Sequence, residues 1–548
     1  VVWGTQASCN AAAQRAEVRW TGEFAPAYRV LPRYRNTRAA RDTARALIYR
    51  GADEDVLRQT LAARGLQIGG TRVLDDRFAV VSFESDAAGL ASAAQVPGVY
   101  SVQPVPRDGG LRGEMSNQVC VNNIDGSNIA FPGYESWLSL VGLSGAGVTI
   151  ANVDSGIDQG HPDLVGRMLP CAGTTCGGSA SSGHGTHTAG IMAADGASGV
   201  TDSFGFLRGL GMAPGAELVE QVYSPHFQQA GGMLLLIRDS YANGAQLSGN
   251  SWGPAGTPQG YDNDTMQVDI GVRDADVNTP GNQQFTYVLS IMNGNGSGSG
   301  GVGTQGTPDE AKNIFTIGST KLQNTDGTQD TDINDVSANS AHGPALDGRI
   351  IPHMVAPGCY VDSTVPGGYA IVPYCGTSMA SPHVSGAIAL FIEYWRSLSG
   401  YVADPTPAMI KAAFTAVAID LAGNADADGG IMGHPFDDRQ GWGRMDAEAV
   451  LDPQQSVRYF DAPVVLDNSG EEWVAIVAAE NPLEPVRIML VWTDAPGHGL
   501  GGSTPAWNND LDLIVEAGAN TSLGNNFGGN GYSVTGGAPD GKNNTEGV

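Results

Sequence analysis

Positive charge is what this sequence has least of. Lysine occurs only at 312, 321, 411 and 542, and 29 Lys and Arg face 57 Asp and Glu, giving 548 residues a formal net charge of −28. So acidic a chain argues against nucleic acid as a partner and for high solubility. Long apolar runs are missing too. None approaches the ~20 residues of a membrane span, so no transmembrane segment is expected. The opening VVWGTQASCN lacks the basic-then-apolar form of a signal peptide, so a secreted chain is expected to have lost that signal already. Cysteine is scarce: there are six, with no Cys-x-x-Cys pair and no Cys/His metal spacing. Cys171 and Cys176 lie close in sequence, Cys359 and Cys375 bracket a turn-rich segment, and Cys9 and Cys120 are left over. Disulfides in an oxidising compartment are the better reading, with free buried thiols as the alternative.

What positive charge there is crowds the first fifty residues, where Arg15, Arg19, Arg29, Arg33, Arg35, Arg38, Arg41, Arg45 and Arg50 fall. Residues 1–45 read as a basic N-terminal arm, either solvated or lying on the acidic body of its own chain. The length exceeds what one core supports, so several domains are expected. Residues 46–106 alternate as βαββαβ, the order of a small ferredoxin-like unit, with the helix DEDVLRQTLAARG carrying Val56, Leu57, Thr60 and Leu61 at helical spacing. Residues 107–144 read as a linker and the start of a second region. From about 145 to 452, the apolar runs VTIANVD, AELVEQVY, AQLSGNSW, YVLSIMN and NIFTIGS alternate with helical or looped segments. That pattern suits a parallel sheet buried on both faces, with helices on either side. Beyond 453 helical periodicity stops. VRYFD, PVVLD, EWVAIVAA, VRIMLVWT and LDLIVEA read as short strands of a β domain, expected to be a sandwich and incomplete at 548.

Three stretches of the central region carry chemistry. In CGTSMASPHVSG a serine follows a glycine turn at a helix start, where unpaired N–H groups and partial positive charge gather. SGHGTHTAGIMAA places His184 and His187 at another helix start. VTIANVDSGID ends a buried strand on Asp154, where functional residues of open parallel sheets collect. A serine hydroxyl is a weak nucleophile until a base takes its proton, and the base works best when a carboxylate fixes its tautomer. Each residue has a plainer reading alone: Ser378 as a cap, Asp154 in a turn, a histidine in structure. A fourth element, donors for an oxyanion, is offered by YVLSIMNGNGSG, where Asn293, Gly294 and Asn295 follow apolar strand residues.

Taken together, VDSGID, GHGTHTAG and GTSMASPHVSG resemble the aspartate, histidine and serine motifs of the subtilisin-like serine proteases, or subtilases, over about residues 145–452. The resemblance implies a secreted serine endopeptidase that hydrolyses protein peptide bonds through an acyl-enzyme. Ser378 is then the nucleophile, His184 the base, Asp154 its orienting carboxylate and Asn295 the oxyanion donor, with His187 structural. Ser251, Trp252, Gly253 and Gly294 would line the bound substrate. No cofactor is implied for the chemistry. The alternative is a dedicated maturation protease or transpeptidase acting on one partner. The βαββαβ unit resembles the subtilase propeptides that inhibit the cleft. The stretch 104–115 would then be an exposed processing region, and a Cys9–Cys120 disulfide would tether the cut pieces. Residues 453–548 resemble the jelly-roll domain that follows the catalytic domain in alkaline subtilases. There Asn509, Asp510, Asp512, Asp540, Asn543 and Glu546 form an oxygen-rich set suited to structural calcium. Ser181–Ser182, His353 and Cys375 depart from the usual pattern of the family.

Overall fold

The computed structural model describes the chain apart from residues 1–5, 14–24, 31–41, 51–52, 74–77, 105–113, 254–257, 295–300, 399–402, 454–455, 463, 480 and 482. It divides into two compact units, residues 1–109 and 110–548. Among the described residues no helix is long and apolar enough to cross a membrane.

The first unit is a four-stranded antiparallel sheet with two helices: β1 (Asp42–Tyr49), α1 (Glu54–Ala63), β2 (Gln67–Val73), β3 (Phe78–Ser85), α2 (Ala87–Ala94) and β4 (Val99–Pro104). The strand order β2-β3-β1-β4 is that of a ferredoxin-like fold. Both helices start where the sequence supplies a carboxylate cap, Asp53 accepting from Val56 N and Asp86 from Gly89 N. Alternation along β1 buries Ala44, Ala46 and Ile48 against Leu57, Leu61, Leu90 and Val102, which gives this unit its own core. β1 begins before the expected boundary at 46. Most of the basic arm lies outside the described residues; Arg29 is described, and its guanidinium donates to the carbonyls of Ala94 and Val96.

The second unit is built on seven parallel strands: β5 (Thr149–Asp154), β6 (Met168–Leu169), β7 (Glu217–Val222), β8 (Leu247–Asn250), β9 (Thr286–Ser290), β10 (Phe315–Lys321) and β11 (Met354–Cys359), in the order β11-β10-β9-β8-β5-β7-β6. All six residues of β5 are buried, as a strand covered on both faces requires. Two helices matter most for function, α3 (Gly183–Ala193) and the 21-residue α4 (Thr377–Ser397). Small residues let both approach the sheet closely. A Cβ on Gly386 of α4 would stand 2.5 Å from Met212 Cβ, and one on Gly249 of β8 would stand 2.2 Å from Met192 Cε in α3. Pro382, expected in the first turn, lies inside α4 instead, so its missing N–H leaves the Ser378 carbonyl without the usual helical donor.

Expectation and structure part at two places. Residues 114–144, read as linker, are packed. Glu114 and Met115 are buried, and the Glu114 carboxylate accepts from the backbone N–H groups of Gly133, Tyr134 and Leu207. The rest of the expected processing stretch, 105–113, lies outside the described residues. Among the described residues Cys120 is buried in the core and has no disulfide partner, and burial pushes its thiol far above the usual range; the side chain of Cys9, its expected partner, lies outside the described residues. Cys171–Cys176 and Cys359–Cys375 are disulfide-bonded.

The second place is the C-terminal region. It contributes β12 (Met489–Val491), paired with β15 (Thr545–Gly547), and β13 (Ile514–Ala517), paired with β14 (Asn520–Leu523). Two antiparallel pairs thus stand where a sandwich is expected. VRYFD, PVVLD and EWVAIVAA run without strand partners among the described residues, leaving Val465, Val474 and Ile476 exposed. Tyr459, Met489 and Phe527 pack this region against the main core, and a buried polar cluster joins it to the segment before β10. Lys312 Nζ lies 2.6 Å from Asp494 Oδ2 with both side chains buried. It also donates to the carbonyls of Ala495 and Ala506. Asn313 and Asp494 exchange a hydrogen bond in each direction, and Asn508 N and Asn509 N also donate to Asp494.

Candidate active site

Asp154 is the last residue of β5 and is buried. Its carboxylate accepts from Ser155 N and Ser155 Oγ, and from Thr188 Oγ1 on α3. Ser182 caps α3 by accepting from Gly185 N, so His184 falls in the first turn. Its Nδ1 stands 2.9 and 3.0 Å from the two Asp154 oxygens. With Nδ1 held there, Nε2 is the ring atom turned outward, and the side chain is 40% exposed. Burial alone would pull the imidazole down, but the charge of Asp154 and its hydrogen bond outweigh this and hold His184 above the ordinary histidine value.

His187, one turn on, is a different case. It is fully buried, with Nε2 2.9 Å from Val361 O and 3.0 Å from Ala370 O, and its ring stacks on Tyr374 with centroids 3.8 Å apart. Burial lowers it to about 3, so it stays neutral and structural. His353, noted as a departure in the sequence, is also buried, and burial followed by the charges of Lys411 and Arg349 holds it well below the ordinary value.

Ser378 enters from the other side, at the N-terminus of α4. Gly376 before it has φ +148°, and a Cβ there would meet Asn293 Oδ1 at 2.5 Å, so only glycine fits this approach. The Cys359–Cys375 disulfide ties the same loop to the end of β11; closing a loop of 16 residues is worth about 3 kcal/mol in the chain-entropy picture. Ser378 Oγ donates to Ser251 O at 3.0 Å, and no hydrogen bond joins it to His184. Ser251 directly follows β8, the neighbour of β5, with Asn250 in register with Val153. Asp154 and the Ser251 carbonyl that Ser378 faces therefore lie at the carboxyl ends of adjacent strands.

The expected substrate wall is partly inward. Trp252 is buried and stacked on Tyr223, centroids 4.4 Å apart, with Phe227 beside it. Gly253 is half-buried, and Gly294 adopts φ +61°. Asn295 lies outside the described residues. Among the described residues Asn293 approaches the same helix start: its Oδ1 accepts from Thr377 N at 2.9 Å and Thr377 Oγ1 at 3.0 Å, which holds the residue before Ser378.

The calcium set does not assemble as expected. Asn509 Nδ2 donates to Asp494, Asn543 Oδ1 accepts from Ile350 N while its Nδ2 donates to Asp540, and Glu546 Oε2 accepts from Leu513 N. Among the described residues no group of three or more His, Cys, Asp and Glu side chains is placed to hold one ion. The carboxylates of Asp510, Asp512 and Asp540 still act on Glu546, which burial first and then these charges raise to about 8.

A paired Asp and His, and a serine at the N-terminus of a second helix, are carried by one domain built on a seven-stranded parallel sheet with helices, an α/β protein. Comparison with known sequences narrows the class. Residues 145–443 match the peptidase S8, or subtilase, family, and the chain belongs to it. It is 31% identical over 258 residues to subtilisin E of Bacillus subtilis (strain 168), covering 46% of this chain and 57% of that one. It is 34% identical over 255 residues to subtilisin Savinase of Lederbergia lenta, covering 45% and 77%. The chain thus spans little more than half the length of subtilisin E. Among solved structures, fervidolysin from Fervidobacterium pennivorans, a keratinolytic enzyme related to subtilisin, aligns at 21% identity over 77% of this chain and 63% of its own, with a TM-score of 0.40. A structure described as S41 psychrophilic protease aligns at 22% identity over 62% and 99%, with a TM-score of 0.44.

Proposed function

We propose that the protein is a serine endopeptidase that cuts protein chains through an acyl-enzyme. The observation that carries this reading is the Asp154–His184 pair, which fixes the imidazole tautomer with Nε2 facing outward. Ser378 Oγ rotates from the Ser251 carbonyl towards His184 Nε2, gives up its proton and attacks the substrate carbonyl. The Ser378 N–H and the side-chain amide of Asn295 donate to the oxyanion. His184 then returns the proton to the leaving amine, and water repeats the sequence to release the acid. Every group in this scheme comes from the chain itself.

The reading extends to secretion, which the two disulfides support because such bonds persist in oxidising compartments. It also extends to a zymogen in which the ferredoxin-like unit is an inhibitory propeptide, a role suited to a small unit with its own core. A fluorophosphonate probe with peptide mapping tests the proposal: label is expected on Ser378, together with hydrolysis of unrelated denatured proteins. Label elsewhere, or none with correctly folded protein, overturns it.

Two further results are expected. Asn295→Ala lowers kcat about 10²–10³-fold with a smaller change in KM, the size of effect associated with the oxyanion asparagine of subtilisin. Steady-state kinetics beside Asn293→Ala, whose side chain is engaged with Thr377, separate the two asparagines. Activity also falls on acidification, because imidazolium cannot accept the serine proton. Since Asp154 favours the charged ring, the fall in kcat/KM begins at a higher pH than an unperturbed histidine would give. A midpoint below the ordinary histidine value contradicts this assignment.

A further inference from the structure

The segment between β11 and α4 does more than connect them. It leaves the sheet at Cys359, folds back as a hairpin of Ser363–Val365 against Gly368–Ala370, and delivers Ser378 to the head of α4. On the way it grips α3, the helix that carries His184. Ser363 Oγ donates to His187 O at 3.0 Å and Thr364 Oγ1 to Thr186 O at 2.8 Å. His187 Nε2 donates in turn to Val361 O and Ala370 O, and Tyr374 stacks on its ring. A Cβ on Gly190 of α3 would collide with Ser363 Oγ and Thr364 Oγ1, so this strap lies directly on the helix. It is a mechanical link between the helix that holds the base and the loop that delivers the nucleophile.

The strap is closed covalently at its base. Cys359 and Cys375 stand opposite one another in an antiparallel bridge, and their disulfide shuts the loop just before Ser378. Three hydrogen bonds assist: Gly376 N to Gly358 O at 2.9 Å, Val361 N to Tyr374 O at 3.1 Å, and Asn339 Nδ2 to Cys375 O at 2.8 Å. Each exchanges a bond to water for a bond within the chain, so its net worth is small. Both cysteines are half-buried, and Val372 and Pro373 beside them are exposed, which gives a small thiol access to the sulfurs.

We infer that the Cys359–Cys375 disulfide is a thiol-sensitive switch on catalysis. Closed, it holds the strap on α3 and Ser378 within reach of His184. Opened, it frees the strap, and turnover falls while the parallel sheet stays folded. The step is thiol–disulfide exchange with a small dithiol. One thiolate attacks a cysteine sulfur to give a mixed disulfide, and the second thiol displaces that sulfur. The dithiol is oxidised to its own disulfide and the two cysteines are reduced to thiols, with two electrons and two protons transferred. The inference rests on the protease reading of the site.

The test titrates the full chain with dithiothreitol, assays it at each step, and maps alkylated cysteines by mass spectrometry. As Cys359 and Cys375 are reduced, kcat is expected to fall about 10²-fold, the loss that a small misplacement of reacting groups brings. It is expected to return on reoxidation, with cooperative thermal unfolding kept throughout. Cys171→Ser/Cys176→Ser, which retains the strap disulfide, is expected to respond as the wild type does. Full turnover with the strap reduced overturns the inference. So does a loss that follows Cys171 and Cys176 instead, a loss that follows unfolding, or a strap disulfide that survives excess dithiothreitol. Absence of turnover in the oxidised protein counts against the protease reading alone. Hydrogen exchange then carries the test. Reduction is expected to speed exchange of the backbone amides of 360–378 and of 183–187, and unchanged exchange in either stretch overturns the inference.

Discussion

Ser378→Ala is expected to remove peptide hydrolysis, by about 10⁶-fold in kcat, the size of loss that removing the serine of the subtilisin triad produces. The fold should survive. Ser378 is half-buried at a helix start, its hydroxyl makes a single hydrogen bond to Ser251 O, and the helix that follows is held by the buried face of α4. Thermal unfolding of the variant should therefore match the wild type closely while fluorophosphonate labelling vanishes. Retained turnover would place the nucleophile elsewhere. A collapse of the fold would mean that the serine's role in packing has been underrated here.

Asp494→Ala is expected to have the largest effect on stability, with none of its contacts in the cleft. The substitution leaves the buried Lys312 ammonium with the Ala495 and Ala506 carbonyls, the Tyr261 ring and the charge of Asp269 but no carboxylate in contact, and it strips acceptors from Asn508 N and Asn509 N. Breaking a buried pair from one side costs about 3–5 kcal/mol, because the remaining charge stays out of water. The control is Asp404→Ala, which breaks the half-exposed pair with Arg396 and should cost no more than about 1 kcal/mol. Urea midpoints of the two variants measured side by side decide the matter. Similar values would mean that the Lys312–Asp494 pair contributes no more than a surface contact.

These two residues illustrate what the sequence made legible and what it did not. Ser378 was visible because its surroundings obey local rules: a glycine turn and a helix start lie within a few residues of each other. The same holds for Asp154, at the end of a fully buried strand rich in Ile, Ala and Val, and for the capped helix that carries His184. The ferredoxin-like unit was legible because alternation and caps fix short strands and helices locally. Asp494 could not be read in this way. Its partner is 182 residues earlier, and nothing in the neighbourhood of either residue announces that both are buried. Asn293 is a related case. Its contact with Thr377 depends on how the chain leaves β9, and the partner comes from another segment. The calcium set is read only in part: its two asparagines are engaged with Ile350 N and Asp494 and one Glu546 oxygen with Leu513 N, contacts that lie far away in sequence. In the C-terminal region, alternation marked residues able to lie in a sheet, but a strand needs a partner, and alternation does not specify one.

The burial of Lys312 has a practical side. With Lys411 also buried, only Lys321 and Lys542 offer a lysine amine on the folded surface. Amine-directed crosslinkers and resins would therefore attach at two lysine positions and leave the assigned cleft residues untouched. Acylation appearing at Lys312 would then act as a clock for the moment the C-terminal segment lifts away from the catalytic sheet, readable by mass spectrometry long before activity changes.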